Sequence, residues 1–200
     1  DILVNNAGYG QPGHFEEADW ATHRDFIELM MTSYARLVHL FLPGMQARRY
    51  GRIINVASVA GLVAGPGMGA YNVSKFGVVA LSEVMHHELT LLGARLRVSV
   101  LCPGVIRTNI VQSGRNIPDR FAGQIQTAPI DGPGTEMLKA VTEAISKGID
   151  PLYVGELVRE AIEGDWPHIF TDLQFEPHID ARFATIKQGF DRIRGRVPRY

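Results

Sequence analysis

Two residues whose chemistry suits proton transfer, Tyr71 and Lys75, are four positions apart in a stretch with helical apolar spacing. Side chains at that spacing share one face of a helix. A tyrosine hydroxyl can exchange a proton with an alcohol or alkoxide if its pKa, ordinarily about 10, is lowered. A neighbouring lysine ammonium favours the phenolate and so lowers that pKa. The pair predicts an acid/base centre, although an isolated pair of this kind is more often a solvated helix face.

A serine and two loops give the pair its context. Ser58 follows the apolar strand pattern 52–56, where its hydroxyl could hold a substrate oxygen. The loops 5–8 and 103–108 follow two further strand patterns in the same way. Because the carboxyl ends of parallel strands open into one ligand crevice, the three segments are expected at one rim. Such convergence favours a functional interpretation over chance.

The elements that must position these residues alternate along the chain. Strand patterns occur at 2–5, 52–56, 97–101 and 168–171, with helical patterns at 22–46, 72–92 and 151–163. Continuous apolar strands alternating with helices predict an α/β protein with a parallel sheet covered on both faces. A last helical stripe is predicted to lie in the core or at a subunit contact; it comprises Ile179, Phe183, Ile186, Phe190 and Ile193.

As an ordered set, Asn5-Asn6-Ala7-Gly8, Ser58, Tyr71-Asn72-Val73-Ser74-Lys75 and Pro103-Gly104 resemble the motifs of the short-chain dehydrogenase/reductase family over essentially the whole chain. The resemblance implies a Rossmann-type, doubly wound parallel sheet. It implies that Tyr71 is the catalytic acid/base, that Lys75 binds the nicotinamide ribose and that Ser58 orients the substrate. The cofactor-binding residues it implies are Asn5, Ala7 and Gly8 on the adenosine side, Tyr71 and Lys75, and Pro103, Gly104, Val105 and Thr108 near the nicotinamide.

The function implied by this resemblance is hydride transfer between NAD or NADP and a small-molecule secondary alcohol or ketone, in a homodimer or homotetramer. The segments 100–110, 113–116 and 176–190 more narrowly resemble bacterial dehydrogenases that oxidise benzylic alcohols of aryl ethers, which implies a bulky or aromatic substrate. The weakly periodic segment 109–134 is too long for an ordinary connection and is predicted to be a substrate lid.

Two features depart from the family pattern. No glycine-rich phosphate loop follows a strand, since Gly61, Gly65, Gly67 and Gly69 lie between Ser58 and Tyr71, where a flexible rim is expected. The chain is therefore predicted to be the C-terminal part of one Rossmann domain, 1–200, that lacks the first βαβ units. By itself it is expected to bind dinucleotide poorly, and its choice between NAD and NADP is open.

The second departure concerns the family's catalytic asparagine, whose place falls on Met30 or, counted from Ser58, on Met31 or its neighbours. A thioether is a weak acceptor and donates no hydrogen bond, so the proton relay is expected to be altered. Simple core packing of both methionines is the alternative interpretation. The same departures motivate a second hypothesis, a catalytically impaired scaffold that acts in subunit or partner interaction.

Composition excludes several other classes. A formal charge of -1 gives no attraction to nucleic acid or anionic membrane. No apolar run is long enough to span a bilayer, and a single cysteine, Cys102, rules out an internal disulfide. The seven histidines form no metal-ligand pattern. The sequence predicts a cytoplasmic α/β enzyme with no metal, nucleic-acid or membrane partner.

Overall fold

The computed structural model describes residues 1–10, 15–16, 19–92, 95–116 and 133–196. Its strands are β1 (Ile2–Asn5), β2 (Tyr50–Val56), β3 (Arg95–Cys102) and β4 (His168–Phe170). Its α-helices are α1 (Trp20–Ile27), α2 (Ser33–Ala47), α3 (Gly69–Leu91), α4 (Pro133–Ser146), α5 (Pro151–Gly164) and α6 (Glu176–Asp191). The predicted strands are therefore all present, each within two residues of its expected bounds.

The four strands form one parallel sheet in the order β1-β2-β3-β4. Asn5 is level with Asn55, and Cys102 is level with Phe170, so the carboxyl ends of all four strands reach the same rim. The predicted α/β class with a parallel sheet is confirmed. Within the described residues β1 is an edge strand, and Ile2 and Val4 are about half exposed, at 51% and 54%.

Alternation along β2 and β3 divides the core between the two faces of the sheet. On one face Ile53 and Val98 pack against Val38 and Met45 of α2 and Met85 of α3. On the other, three strand residues, Ile54, Leu101 and Ile169, pack against α5. Each buried aliphatic side chain contributes roughly 1.5–3 kcal/mol to folding. The sheet is thus clamped by helices on both faces, as a doubly wound fold requires.

The helix predicted at 22–46 is not uniform. Between α1 and α2 the chain adopts a π-helical segment, Glu28–Thr32, which contains Met30. A π segment widens one turn and often lies beside a functional site.

The helix predicted at 151–163 begins as expected, because the Asp150 carboxylate accepts a hydrogen bond from the Leu152 amide at 2.9 Å and Pro151 occupies the first turn.

Helix α6 corrects one prediction. It contains no buried residue, and Phe183, Ile186, Phe190 and Ile193 are all exposed. The core alternative for this stripe is therefore wrong in the described part of the chain, and the subunit contact stays a prediction. Helix α6 contacts α3 through a cation–π interaction, in which the Arg182 guanidinium lies 4.9 Å from the Phe76 ring centroid.

The C-terminal half contains one helix that the sequence pattern did not predict, α4, directly after the weakly periodic segment. Of the proposed lid, residues Ile110–Asn116 form 3₁₀ turns, and 117–132 lie outside the described residues. None of the helices in the described part of the chain is long and apolar enough to cross a membrane.

Candidate active site

Tyr71 and Lys75 lie on one face of α3, at its first turns, and both are buried, at 9% and 4% exposure. The Lys75 Nζ is 5.6 Å from the centroid of the Tyr71 ring. The same ammonium donates a hydrogen bond to the Val56 carbonyl oxygen at 2.9 Å, which ties it to the end of β2. The structure thus brings the two residues together as the spacing predicted.

Ser58 reaches the same point from the loop after β2. Its hydroxyl accepts from the Ala60 amide at 3.1 Å and lies close enough to Tyr71 to lower the pKa of that phenol. It also lies 3.5 Å from the carbonyl oxygen of Pro103, to which it donates. One hydroxyl therefore connects the β2 loop, the β3 loop and the Tyr71 phenol, which is the arrangement expected of a substrate-orienting serine.

Asn72, to which the sequence argument gave no role, holds that loop in place. Its Nδ2 donates to the carbonyl oxygens of Ala60 and Val63, at 2.6 and 3.0 Å. Gly61 packs so closely on α3 that a Cβ there would lie 2.6 Å from the Lys75 carbonyl oxygen. The Val59–Gly61 turn, expected to be part of a flexible rim, is therefore fixed against the helix that carries the acid/base pair.

Burial dominates the electrostatics of the pair. It raises the pKa of Tyr71 above its ordinary value, and the neighbouring Ser58 hydroxyl lowers that pKa by a smaller amount. It lowers the pKa of Lys75 to about 8, because an ammonium is poorly solvated there. The predicted lowering of the Tyr71 pKa by Lys75 is not found among the described residues: desolvation of the phenol is the larger effect, and Ser58 is the group that opposes it.

The loop after β1 is built from backbone rather than from the Asn5 side chain. Asn5 is 2% exposed, and its Nδ2 donates to Asn55 Oδ1 at 2.8 Å, which joins β1 to β2. The Ala7 carbonyl oxygen accepts from the Tyr34 hydroxyl at 2.8 Å. A Cβ on Gly8 would lie 3.8 Å from Lys75 Nζ. Gly8 therefore stands beside the ammonium, and Asn5 secures the strand beneath it.

The loop after β3 is anchored on two sides. The Val105 carbonyl oxygen accepts from the Ile149 amide at 2.9 Å, and the Arg107 amide donates back to Ile149 at 2.9 Å. The Gly104 amide donates to Thr171 Oγ1 at 3.0 Å. Thr108 is exposed at the end of the loop. Of the predicted cofactor contacts in this loop, Pro103, Gly104 and Val105 are partly buried and Thr108 is exposed, and the Pro103 carbonyl oxygen is the one that accepts from Ser58.

Met30 rather than Met31 faces the site. It is completely buried and packs with Phe26 and Tyr71. Its sulfur is close to the loop after β1, since a Cβ added at Gly8 would lie 3.1 Å from the Met30 Sδ. Met31 instead fills the space left by Gly77 of α3. The two positions left open by the sequence are thus distinguished, and a thioether occupies the wall between the β1 loop and Tyr71.

Fold and site together define a Rossmann-type α/β protein whose reactive side chains gather where parallel strands end. Residues 1–117 match the family model described as short chain dehydrogenase. The chain belongs to the short-chain dehydrogenase family, as its motifs predicted.

Individual relatives agree with this assignment. The chain is 28% identical over 193 residues to a CLA biosynthesis dehydrogenase/reductase of Lactiplantibacillus plantarum, covering 93% of this chain and 65% of that protein. It is 36% identical over 159 residues to the oxidoreductase UcpA of Escherichia coli K12, covering 78% and 56%. A Burkholderia phymatum short-chain dehydrogenase/reductase solved with NAD superposes with a TM-score of 0.87 at 29% identity, covering 94% of this chain and 66% of that one. The chain thus spans between about half and two thirds of these relatives.

Proposed function

We propose that this chain carries the catalytic part of an NAD(P)-dependent oxidoreductase that interconverts a secondary alcohol and a ketone, with Tyr71 as acid/base. The observation that carries the proposal is the convergence of Ser58 and Lys75 on a buried Tyr71 at the carboxyl rim of the sheet. The Burkholderia phymatum relative, solved with NAD, supports the class of cofactor.

The donor set at this rim fits a dinucleotide. An ammonium has three N–H donors, and in the described part of the chain the Val56 carbonyl is the acceptor recorded for Lys75. The remaining donors suit the adjacent hydroxyls of a ribose. Gly8 in the loop after β1 and Gly104 in the loop after β3 present backbone without side chains, which suits the close approach of a flat ring. The residues that would hold the cofactor are Asn5, Ala7, Gly8, Tyr71, Lys75, Pro103, Gly104, Val105 and Thr108.

A bound nicotinamide supplies or accepts the hydride. In the direction of ketone reduction Tyr71 donates its proton to the developing alkoxide, and burial favours this direction because it keeps the phenol protonated. Ser58 holds the reacting oxygen through its hydroxyl and so stabilises the charge that forms there. For alcohol oxidation the phenolate is needed, and the Lys75 ammonium, whose pKa is about 8, stabilises it only while it stays protonated.

Apolar surroundings support a bulky substrate. Tyr9 and Met68 pack against the cluster that contains Tyr71, and the rings of Tyr9 and Phe26 lie 4.2 Å apart. Gly10 approaches Ile110, where a Cβ would be 3.8 Å from Cγ1, so the start of the proposed lid 109–134 meets the β1 loop. We extend the proposal to an aromatic or similarly bulky alcohol beneath that lid, and to a homo-oligomer.

The test uses the complete gene product that contains this sequence. Titration of nicotinamide fluorescence with NADH and with NADPH measures binding, and oxidation of 1-phenylethanol measures turnover. Tyr71→Phe should lower kcat by about 10²–10⁴-fold with cofactor affinity nearly unchanged, because only the proton donor is removed. Tyr50→Phe, at an exposed tyrosine (43%), is the matched control and should retain full turnover. Undiminished turnover in Tyr71→Phe would overturn the proposal.

A second candidate, a scaffold without catalysis, is favoured by one observation. Met30 lines the site with a thioether, which donates no hydrogen bond. Apolar side chains on two helices are exposed and available for contact: Leu40 and Phe41 of α2, and Val73 and Val84 of α3. A well-folded gene product that binds neither NADH nor NADPH would favour this function over the oxidoreductase.

A further inference from the structure

The end of β4 holds the β3 loop through a side chain rather than through the strand ladder. The last register pair is Cys102 with Phe170, two residues before Gly104. Beyond it the Gly104 amide donates to Thr171 Oγ1 at 3.0 Å. Thr171 is 5% exposed, so this hydrogen bond is shielded from water. A threonine hydroxyl therefore takes the place of a backbone acceptor at the point where the loop turns away from the sheet.

Asp172 fixes the direction of that hydroxyl. The Thr171 hydroxyl donates to Asp172 Oδ2 at 2.9 Å, and the other carboxylate oxygen accepts from the Gln174 amide at 2.9 Å. Since a carboxylate only accepts, the hydroxyl proton must point to Asp172 and a lone pair must point to Gly104. The two residues form a directed chain from the Gln174 backbone to the loop.

Gly104 shows how close this contact is. A Cβ at that position would overlap the Asp172 carboxylate. The requirement for glycine there comes from this approach and not from a left-handed backbone, since the positive-φ glycines are Gly67 and Gly195 in the described residues. The far side of the loop is held separately by Ile149. The carbonyl oxygen of the Pro103–Gly104 peptide accepts from the Val59 amide at 3.0 Å, and Thr171, oriented by Asp172, holds the N–H of the same peptide.

We propose that Thr171 and Asp172 are positioning residues that fix the Gly104 peptide and, through it, the nicotinamide half of the bound dinucleotide. This inference rests on the proposed function, because it requires the β3 loop to contact the cofactor. Neither residue belongs to the motif set that identified the family. Their effect is confined to one end of the ligand, since the loop after β1 is held by Tyr34 and not by β4.

The experiment compares NADH with ADP-ribose, which lacks the nicotinamide, in the complete gene product; NADPH and the 2′-phosphate of ADP-ribose replace them if the protein prefers NADP. Thr171→Val keeps the shape of the side chain but removes the acceptor, and it leaves the Gly104 amide unpaired. The Kd for NADH should rise about 10-fold, whereas that for ADP-ribose should change less than about twofold. Thr171→Ser should restore the NADH affinity to within about threefold.

Two further variants sharpen the test. Asp172→Asn has one acceptor oxygen where the carboxylate has two, so we expect a smaller loss of NADH affinity, about threefold. Thr185→Val is the matched control: its hydroxyl is exposed and, in the part of the chain that the structure describes, donates to the Ala181 carbonyl of its own helix, so neither Kd should change.

The outcomes separate the inference from the proposed function. An unchanged ratio of the two Kd values in Thr171→Val overturns the inference, whether both affinities stay the same or fall together through a general loss of structure. A wild-type protein that binds neither ligand overturns the proposed function, and the inference with it. Selective loss of NADH affinity with rescue by serine supports the positioning role.

Discussion

The two ends of the sheet differ in how their charged side chains are partnered. At the amino end Arg52 and Arg97 lie side by side on β2 and β3, and the Asp165 carboxylate pairs with both, at 3.5 Å from Arg97 Nε. Asp165 ends α5 in a left-handed conformation, with φ 56°, which directs its carboxylate at the two strands. Each cation there has an anionic partner at a partly exposed surface, so these charges stabilise the fold modestly.

At the carboxyl end, the described part of the chain provides no anionic partner for the charge of Lys75. Lys75 is more deeply buried than either arginine, and it is held by a neutral carbonyl oxygen. Its pKa falls to about 8 because burial outweighs the smaller opposing interaction with Cys102. A buried ammonium costs stability and is kept where a ligand needs it. Ion-paired arginines thus lie at the amino ends of β2 and β3, and the buried Lys75 ammonium, for which we propose a function, lies at the carboxyl end of β2.

Removing the buried charge should separate function from stability most clearly. Lys75→Met should lower turnover by about 10²-fold or more and weaken cofactor binding, because the ammonium is lost. The free energy of unfolding at pH 7 should rise by about 1–3 kcal/mol, since the desolvation penalty is removed. Activity assays and urea titrations measure both. Lys139→Met, at an exposed lysine paired with Glu136, should change neither; a destabilised Lys75→Met would contradict the comparison.

The pH dependence of stability provides a second test. The folded pKa of Lys75, about 8, is below that of an unfolded lysine, 10.5, so the unfolded state binds more protons between these values. Without added cofactor, stability should therefore increase as the pH rises above 8, by up to about 1.4 kcal/mol per pH unit. Urea titrations of the wild type and of Lys75→Met can be compared at roughly half-unit steps between about pH 7.5 and about pH 9.5. The wild type alone should show this increase of stability with pH. Equal slopes would refute the assignment.

The smallest effect is expected at the amino end. Asp165→Asn keeps the size and the left-handed conformation but removes the charge between Arg52 and Arg97. The free energy of unfolding should fall by about 0.5–1.5 kcal/mol. The loss should be smaller in about 1 M NaCl, where the Debye length is about 3 Å, because salt screens these partly exposed pairs. Turnover and cofactor affinity should stay within about twofold. Asp180→Asn, an exposed residue of α6, is the control. A loss of activity equal to that of Lys75→Met would break the separation of the two ends.

The sequence could predict those residues whose type and spacing suit them to proton transfer or to holding a substrate oxygen. Tyr71, Lys75 and Ser58 were found by residue type and spacing, and the apolar strands that place them were found by pattern. The family assignment followed from the same motifs and is confirmed by the match to residues 1–117. Their mutual contacts remain a property of the fold, but periodicity already required them to share one rim.

The residues that the sequence did not select act through contacts far apart along the chain. Asn72, Thr171 and Asp172 position loops, and nothing in their local pattern indicates which carbonyl or amide they bind. The exposed stripe of α6 was misjudged for a related reason: helical periodicity shows that one face is apolar, but not whether this chain covers it. The narrower likeness to aryl-ether dehydrogenases stays a prediction, and most of the lid on which it depends lies outside the described residues.

By itself the sequence determined the α/β class and the order of the strands, and it selected the side chains proposed to react, because these depend on local periodicity and on residue chemistry. The tertiary structure alone decided that Met30 and not Met31 faces Tyr71, and that burial moves the pKa of Tyr71 and that of Lys75 in opposite directions. Both outcomes depend on how closely helices and strands pack around each group. Solvent exclusion is a property of that packing, which no short stretch of sequence specifies.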